Sequence, residues 1–197
     1  MPNVPDPKKT TKILLLLGAV SLAPFVASFL LYYSWKSQTF TNYGELLKVT
    51  PLAGVAVADR DGKDFRFDEL RGKWMFLMVD SGICDEYCVS KLYLMRQIRL
   101  TQGKNRDRIE RLWLIPDDVR PAPAVELRYP GMRQLMVDAD AVLRLLPASR
   151  SARDHIYLVD PFGNLMMRFP RDADPQQMKQ DVTRLVKVSS GWLQKDN

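Results

Sequence analysis

The residues that decide the fold are WMFLMVDSGICDEYCVSKLYL, Trp74 to Leu94. The run Trp74–Val79 is short and uninterrupted by polar residues, which predicts a buried strand. Residues 80–82, Asp-Ser-Gly, predict a turn. From Cys84 onward the apolar residues recur at helical spacing, so a helix is predicted to begin near the first cysteine. The pattern is therefore strand, turn and helix, with a pair of cysteines at the start of the helix.

Cys84 and Cys88 are the only two cysteines in the chain. On a helix they share one face, with Cα atoms about 6 Å apart, which lies within the range that a disulfide tolerates. The pair can be a dithiol, a disulfide or two thiolate ligands of one soft metal. The plainer alternative is that both are small apolar core residues. The polar residues 85–87 between them and the helix N-terminus, which stabilises a thiolate, favour the functional reading.

An apolar segment precedes this domain. Residues 1–12 form a polar tail that contains three lysines, and residues 13–33 carry no charge and are long enough to cross a hydrocarbon core of about 30 Å. A cleaved signal peptide is the alternative, but the apolar run exceeds the roughly 7–15 residues typical of one. The lysines before the span predict a single-pass anchor with a cytoplasmic N-terminus. In a bacterium this is an inner-membrane protein with a periplasmic domain, where disulfides can form.

The remaining patterns predict an α/β domain over residues 49–190, after a linker at residues 34–48 that holds a short helix, Tyr43–Lys48. A strand-turn-strand pattern precedes the central strand, and further strands are predicted at 109–115, 132–137, 155–159 and 165–169. Helices are predicted at 139–146 and 174–188. A turn at residues 160–164 makes the last two strands a hairpin. The order predicts an α/β sheet closed by an antiparallel hairpin.

This order, with a cysteine pair at a helix start, resembles the thioredoxin fold. FDELRGKW, residues 67–74, resembles the lead-in to the central strand in extracytoplasmic members of that fold. Three residues separate Cys84 from Cys88, and this is the spacing of the Sco/SenC family. Its members are membrane-anchored copper proteins that help to build the copper centre of cytochrome c oxidase. The resemblance covers roughly residues 45–190, and it implies a thioredoxin-like fold preceded by one N-terminal transmembrane helix.

The resemblance also implies a site. Cys84 and Cys88 match the redox pair of the family, although the family usually has proline after each cysteine and this chain has Asp85 and Val89. Aligned on YLVDPFG, residues 157–163, the third copper ligand of the family, a histidine, falls on Ala152. The only histidine, His155, stands three residues later. The predicted metal ligands are Cys84, Cys88 and His155, a soft trigonal set that suits Cu(I).

The predicted function is a membrane-anchored periplasmic copper-binding and thiol-redox assembly factor, with a client such as a cytochrome c oxidase subunit. The alternatives are a membrane-tethered thiol–disulfide oxidoreductase without copper, and a thioredoxin-like interaction module whose disulfide is structural. The net charge of +6 includes a basic cluster over residues 91–111. It can dock on anionic lipid or an acidic partner, but a solvated helix face is the favoured explanation. The sequence carries no phosphate loop, zinc quartet or nucleic-acid motif.

Overall fold

The structure, a computed structural model, describes residues 7–34, 42–52, 55, 57–59, 61–117 and 119–191. It divides into two compact units, Met1–Thr41 and Asn42–Asn197. The predicted tail falls partly on residues 1–6 and the predicted linker partly on residues 35–41, and both of these stretches lie outside the described residues. The limits predicted for the tail, the linker and the domain remain predictions.

The described residues of the first unit form one helix, α1, Pro7–Ser34. Its segment Thr11–Leu31 has a mean hydropathy of 2.4 and is long and apolar enough to cross a membrane. Pro24 lies inside the helix. Proline is tolerated in membrane-spanning helices, where the backbone groups that it leaves unbonded find other partners. The predicted N-terminal apolar helix is confirmed.

The second unit is built on one sheet. Its strands are β1 Glu45–Pro51, β2 Val57–Asp59, β3 Asp64–Phe65, β4 Trp74–Val79, β5 Ile109–Ile115, β6 Met132–Met136, β7 Ile156–Val159 and β8 Asn164–Phe169. Its helices are α2 Glu86–Thr101, α3 Pro123–Arg128, α4 Ala139–Leu145 and α5 Pro175–Val188. In the described residues the strand order is β1-β8-β7-β4-β5-β6-β2-β3. The strands β4, β5 and β6 are parallel, whereas every other neighbouring pair is antiparallel. The predicted α/β sheet, closed by the β7–β8 hairpin, is confirmed.

The central strand β4 is buried on both faces, which is why its sequence is apolar without alternation. Trp74, Phe76 and Met78 face a core formed with α2 and α5. Met75 and Leu77 face a second core on the other side of the sheet. The carboxyl end of β4 therefore lies between two packed layers, and the turn that carries the cysteines begins there.

The short helix predicted over Tyr43–Lys48 is wrong, because these residues enter strand β1. This strand pairs with the edge of β8, and Arg168 Nη2 lies 2.7 Å from Glu45 Oε2 across the pair. The preceding Gly44 donates its N–H to the buried Asp181 of α5 at 2.9 Å. Pairing with a distant strand overrides the local pattern here, as it commonly does for edge strands.

Candidate functional site

The site is the turn between β4 and α2, where Cys84 and Cys88 form a disulfide with a Cα–Cα distance of 5.0 Å. The helix begins at Glu86, so the prediction that both cysteines lie on it is wrong for Cys84. Asp85 is the N-cap, and its carboxylate accepts the backbone N–H of Cys88 at 3.0 Å. Cys84 precedes the cap with a φ of 51°, in the left-handed region. The N-terminal boundary of α2 is therefore set by the cap residue Asp85, which lies between the cysteines. Helical periodicity had predicted a start near Cys84.

The two cysteines differ in their exposure to solvent. Cys88 is fully buried in the core under α2, whereas Cys84 is only partly buried at its edge. Ile83, the residue before Cys84, is 76% exposed. An attacking thiolate from solvent therefore reaches Cys84 first, and a broken bond releases the sulfur of Cys88 into the protein interior.

Gly82 fixes the shape of this turn. Its N–H donates to Asp117 Oδ1 at 3.1 Å, and a Cβ at this position would lie 1.8 Å from the carbonyl oxygen of Val119. No side chain fits at that separation, so the turn requires glycine here. The segment after β5 thereby packs directly on the turn that carries the disulfide.

A cavity of about 480 Å³ opens beside Cys84. Its wall is mainly apolar, and its charged lining residues are Asp80, Asp85 and Arg153. Ala152 also lines it and is almost completely buried. The sequence alignment on residues 157–163 predicts this position for the histidine ligand of the resembled family, and Ala152 offers only a methyl group there.

Four charged side chains form a network at the wall of this cavity. Lys91 Nζ lies 2.8 Å from Asp80 Oδ2 and donates to the carbonyls of Val79 at 2.9 Å and Arg153 at 2.7 Å. Arg153 Nε donates to Asp80 Oδ1 at 2.7 Å, and its Nη2 donates to Asp85 Oδ2. Arg153 therefore links the end of β4 to the cap of α2, on both sides of Cys84.

The network changes the acidity of its members. The hydrogen bond from Arg153 and the helix-cap bond from Cys88 lower the pKa of Asp85, so that its carboxylate stays charged. Asp85 in turn raises the pKa of Arg153. Burial lowers the pKa of Lys91, and the ion pair with Asp80 opposes this shift. The two carboxylates and the two cations of the network thus neutralise one another.

His155 lies immediately before β7, and its Nδ1 is 2.9 Å from the carbonyl oxygen of Phe169 on β8. Its ring packs edge-on against Tyr157, with ring centroids 5.8 Å apart. Among the described residues, no three His, Cys, Asp or Glu side chains are grouped so that they could hold a metal ion. These contacts are those of a packed structural histidine, and its predicted role as a ligand stays a prediction.

Sequence reasoning missed Asp80, Lys91 and Arg153. Asp80 was assigned to a turn and Lys91 to the basic cluster, yet both side chains are buried. One signal was available for Lys91, because it follows Cys88 by three residues and so lies on the buried stripe of α2. Other cluster members also bond to backbone carbonyls, as Arg99 does to Ile109 and Arg108 does to Val186. The cluster thus contributes internal hydrogen bonds, and a docking surface is not needed to explain it.

A family model described as the transmembrane-like, thioredoxin-like C-terminal domain matches residues 74–189. Three of the solved structures with a similar fold are of Sco proteins. The copper-bound ScoI of Bradyrhizobium japonicum is 20% identical, with a TM-score of 0.52, over 69% of this chain and 99% of that one. Copper-bound yeast Sco1 is 22% identical, with a TM-score of 0.54, over 74% and 99%. BsSco, in which a disulfide switch was identified, is 13% identical, with a TM-score of 0.55, over 73% and 97%.

The predicted resemblance to Sco/SenC proteins is confirmed at the level of the fold, which is what identities this low establish. No curated protein matches the chain. The family model covers the central strand, the disulfide and its helix, the β7–β8 hairpin and α5. The chain therefore belongs to the family of transmembrane-like, thioredoxin-like C-terminal domains.

Proposed function

We propose that this chain is a membrane-anchored thiol-redox protein of the Sco type that assists the assembly of cytochrome c oxidase. The observation that carries the proposal is the Cys84–Cys88 disulfide, which is accessible at Cys84 and buried at Cys88. Two proteins with this fold support it: BsSco belongs to a family of cytochrome c oxidase assembly proteins and has a disulfide switch, and the structure of B. japonicum ScoI contains copper.

The chemistry is a two-electron exchange. A client thiolate attacks the sulfur of Cys84, the bond to Cys88 breaks, and Cys88 leaves as a thiolate that takes up a proton. A second client thiolate then attacks the client sulfur of the mixed disulfide and releases Cys84. The client dithiol becomes a disulfide while this chain becomes a dithiol, and the reverse sequence reduces a client. The same steps serve a general oxidoreductase, so the identity of the client distinguishes the two functions.

Cysteine variants test this proposal. We expect Cys88→Ser to accumulate mixed disulfides through Cys84, because the internal thiol that would resolve them is gone. Cys84→Ser should accumulate few, because Cys88 is buried. Non-reducing electrophoresis after acid quenching and alkylation measures both, and mass spectrometry identifies the partner. An oxidase subunit as partner supports assembly, whereas many unrelated partners support a general oxidoreductase. If the native disulfide resists a glutathione series, it is structural and the redox proposal is wrong.

Copper binding is the second candidate, favoured by the pair of sulfur ligands and by the copper bound in the structures of B. japonicum ScoI and yeast Sco1. In the reduced state Cys84 and Cys88 are soft donors for Cu(I). The described residues do not fit a trigonal site, because His155 bonds to Phe169 and Ala152 stands beside Cys84. The set of Cys84, Cys88 and His155 thus remains a proposal, and the thiol exchange described above requires no metal.

We further propose that the domain lies on the periplasmic side of a bacterial inner membrane. The support is the excess of lysine before the apolar span, with Lys36 the only basic residue soon after it. Alkaline phosphatase fused after Lys36 should be active in a bacterial host, and β-galactosidase fused at the same place should be inactive. The reverse pattern would place the disulfide in a reducing compartment and contradict the redox proposal.

A further inference from the structure

The four charges of the network beside Cys84 balance one another, and Asp117 adds a further carboxylate that bonds to the turn at Gly82. Asp80 and Asp85 supply two negative charges, and Lys91 and Arg153 supply two positive ones. Of these four, Arg153 and Asp85 are the two that are not buried, with 41% and 54% of their side chains exposed. Both also line the cavity beside Cys84. The charge that an incoming group meets at Cys84 therefore depends mainly on this exposed ion pair.

We propose that Arg153 is the charge-balancing residue of thiol exchange, and that it allows negatively charged thiols to attack Cys84. The inference rests on the proposed thiol-redox function and names the substrate class of that site. An attacking thiolate brings a negative charge to a turn flanked by the carboxylates of Asp80, Asp85 and Asp117. Arg153 bonds to Asp80 and Asp85, and together with Lys91 it offsets their two negative charges. Without Arg153 the set carries a net negative charge, which repels the attacking group.

Arg153 occupies this place because of its position in the chain. It follows Ala152, and both residues line the cavity beside Cys84. The 3-10 turn Ala152–Asp154 brings its guanidinium to the end of β4, and its own carbonyl is held by Lys91. A partly exposed cation, held by two carboxylates, thus lines the same cavity as Cys84, where the described residues provide no third metal ligand.

The test compares two reductants of different charge. The rate constant for reduction of the disulfide is measured with glutathione, which carries a net negative charge, and with cysteamine, whose amine offsets its thiolate. Arg153→Gln should slow reduction by glutathione about three- to tenfold at low salt and much less at high salt. It should change the rate with cysteamine little. Asp85→Asn, which keeps a good helix cap, should accelerate reduction by glutathione.

Two further variants separate charge from structure. Arg153→Gln combined with Asp85→Asn restores the balance, so the ratio of the two rate constants should return close to that of the wild type. Arg171→Gln removes an equal charge from a residue that bonds to Asp154 and does not line the cavity, and it should leave the ratio unchanged.

An unchanged ratio in Arg153→Gln, or an effect independent of salt, overturns the inference. If Arg153→Gln does not fold, Asp85→Asn alone decides, and a rate equal to that of the wild type rejects the proposal. A wild-type disulfide that neither thiol reduces is a different result, because it overturns the proposed redox function itself.

Discussion

We expect Lys91→Met to lower the free energy of unfolding of the domain by about 3–5 kcal/mol, the usual cost of removing one partner of a buried ion pair. Lys91 is 3% exposed and its partner Asp80 is 1% exposed. The substitution removes the 2.8 Å ion pair and leaves the carbonyls of Val79 and Arg153 without their donor. Methionine fills a similar volume, so the loss arises from the unpaired polar groups rather than from a cavity. Arg153 still bonds to Asp80, which favours the lower end of the range.

Urea denaturation of the oxidised domain, followed by circular dichroism, measures this loss. Lys104→Met is the matched control, because Lys104 is exposed, and its effect should stay within about 0.5 kcal/mol. Adding Asp80→Asn to Lys91→Met should recover part of the stability, since the buried carboxylate is then neutral. An unfolding midpoint for Lys91→Met equal to that of the wild type would show that Asp80 and Lys91 are solvated, contrary to the structure.

This ion pair also shows where sequence reasoning ends. The strand β4 was predictable because a strand buried on both faces requires an unbroken apolar run, and Trp74–Val79 supplies one. Strand β5 was predictable from its apolar residues 112–115, although Glu110 and Arg111 interrupt its first half. Strand β1 was not, since its residues are mostly exposed and its partner lies more than a hundred positions later in β8. Local patterns predict the elements, whereas an exposed edge strand is determined by the partner that it meets.

The site divides in the same way. The cysteine pair was predictable because the only two cysteines of the chain stand four positions apart, directly after a strand that the sequence identifies. The network around them was not, because Arg153 reaches Asp80 and Asp85 from 73 and 68 residues away in sequence. The start of α2 was predicted only approximately. Asp85 is a good cap residue, but helical spacing that included Cys84 placed the boundary too early.

The question of copper rests on two positions, and we expect them to respond in opposite ways. His155→Ala should leave the affinity of the reduced domain for Cu(I) unchanged, because the ring is bonded to Phe169 and packs on Tyr157. Ala152→His should raise the affinity by about two orders of magnitude, because an imidazole completes a trigonal set with two thiolates. The cavity beside Ala152 and Cys84, about 480 Å³ in volume, has room for the larger side chain.

Competition with a Cu(I) chelator, on protein reduced beforehand and kept free of oxygen, measures these affinities. Cys84→Ser in the Ala152→His background is the control, and it should remove most of the gain, because the new imidazole would then share the metal with only one thiolate.

A loss of affinity in His155→Ala would contradict our expectation and support the ligand set of Cys84, Cys88 and His155. That result would also require the hydrogen bond between His155 and Phe169 to rearrange when the disulfide is reduced, because a ring held by β8 and packed edge-on against Tyr157 is fixed to the sheet. Equal affinities for the wild type and Ala152→His would mean instead that this position does not face the sulfur atoms, and would leave a two-coordinate dithiolate as the only copper site that Cys84 and Cys88 can form.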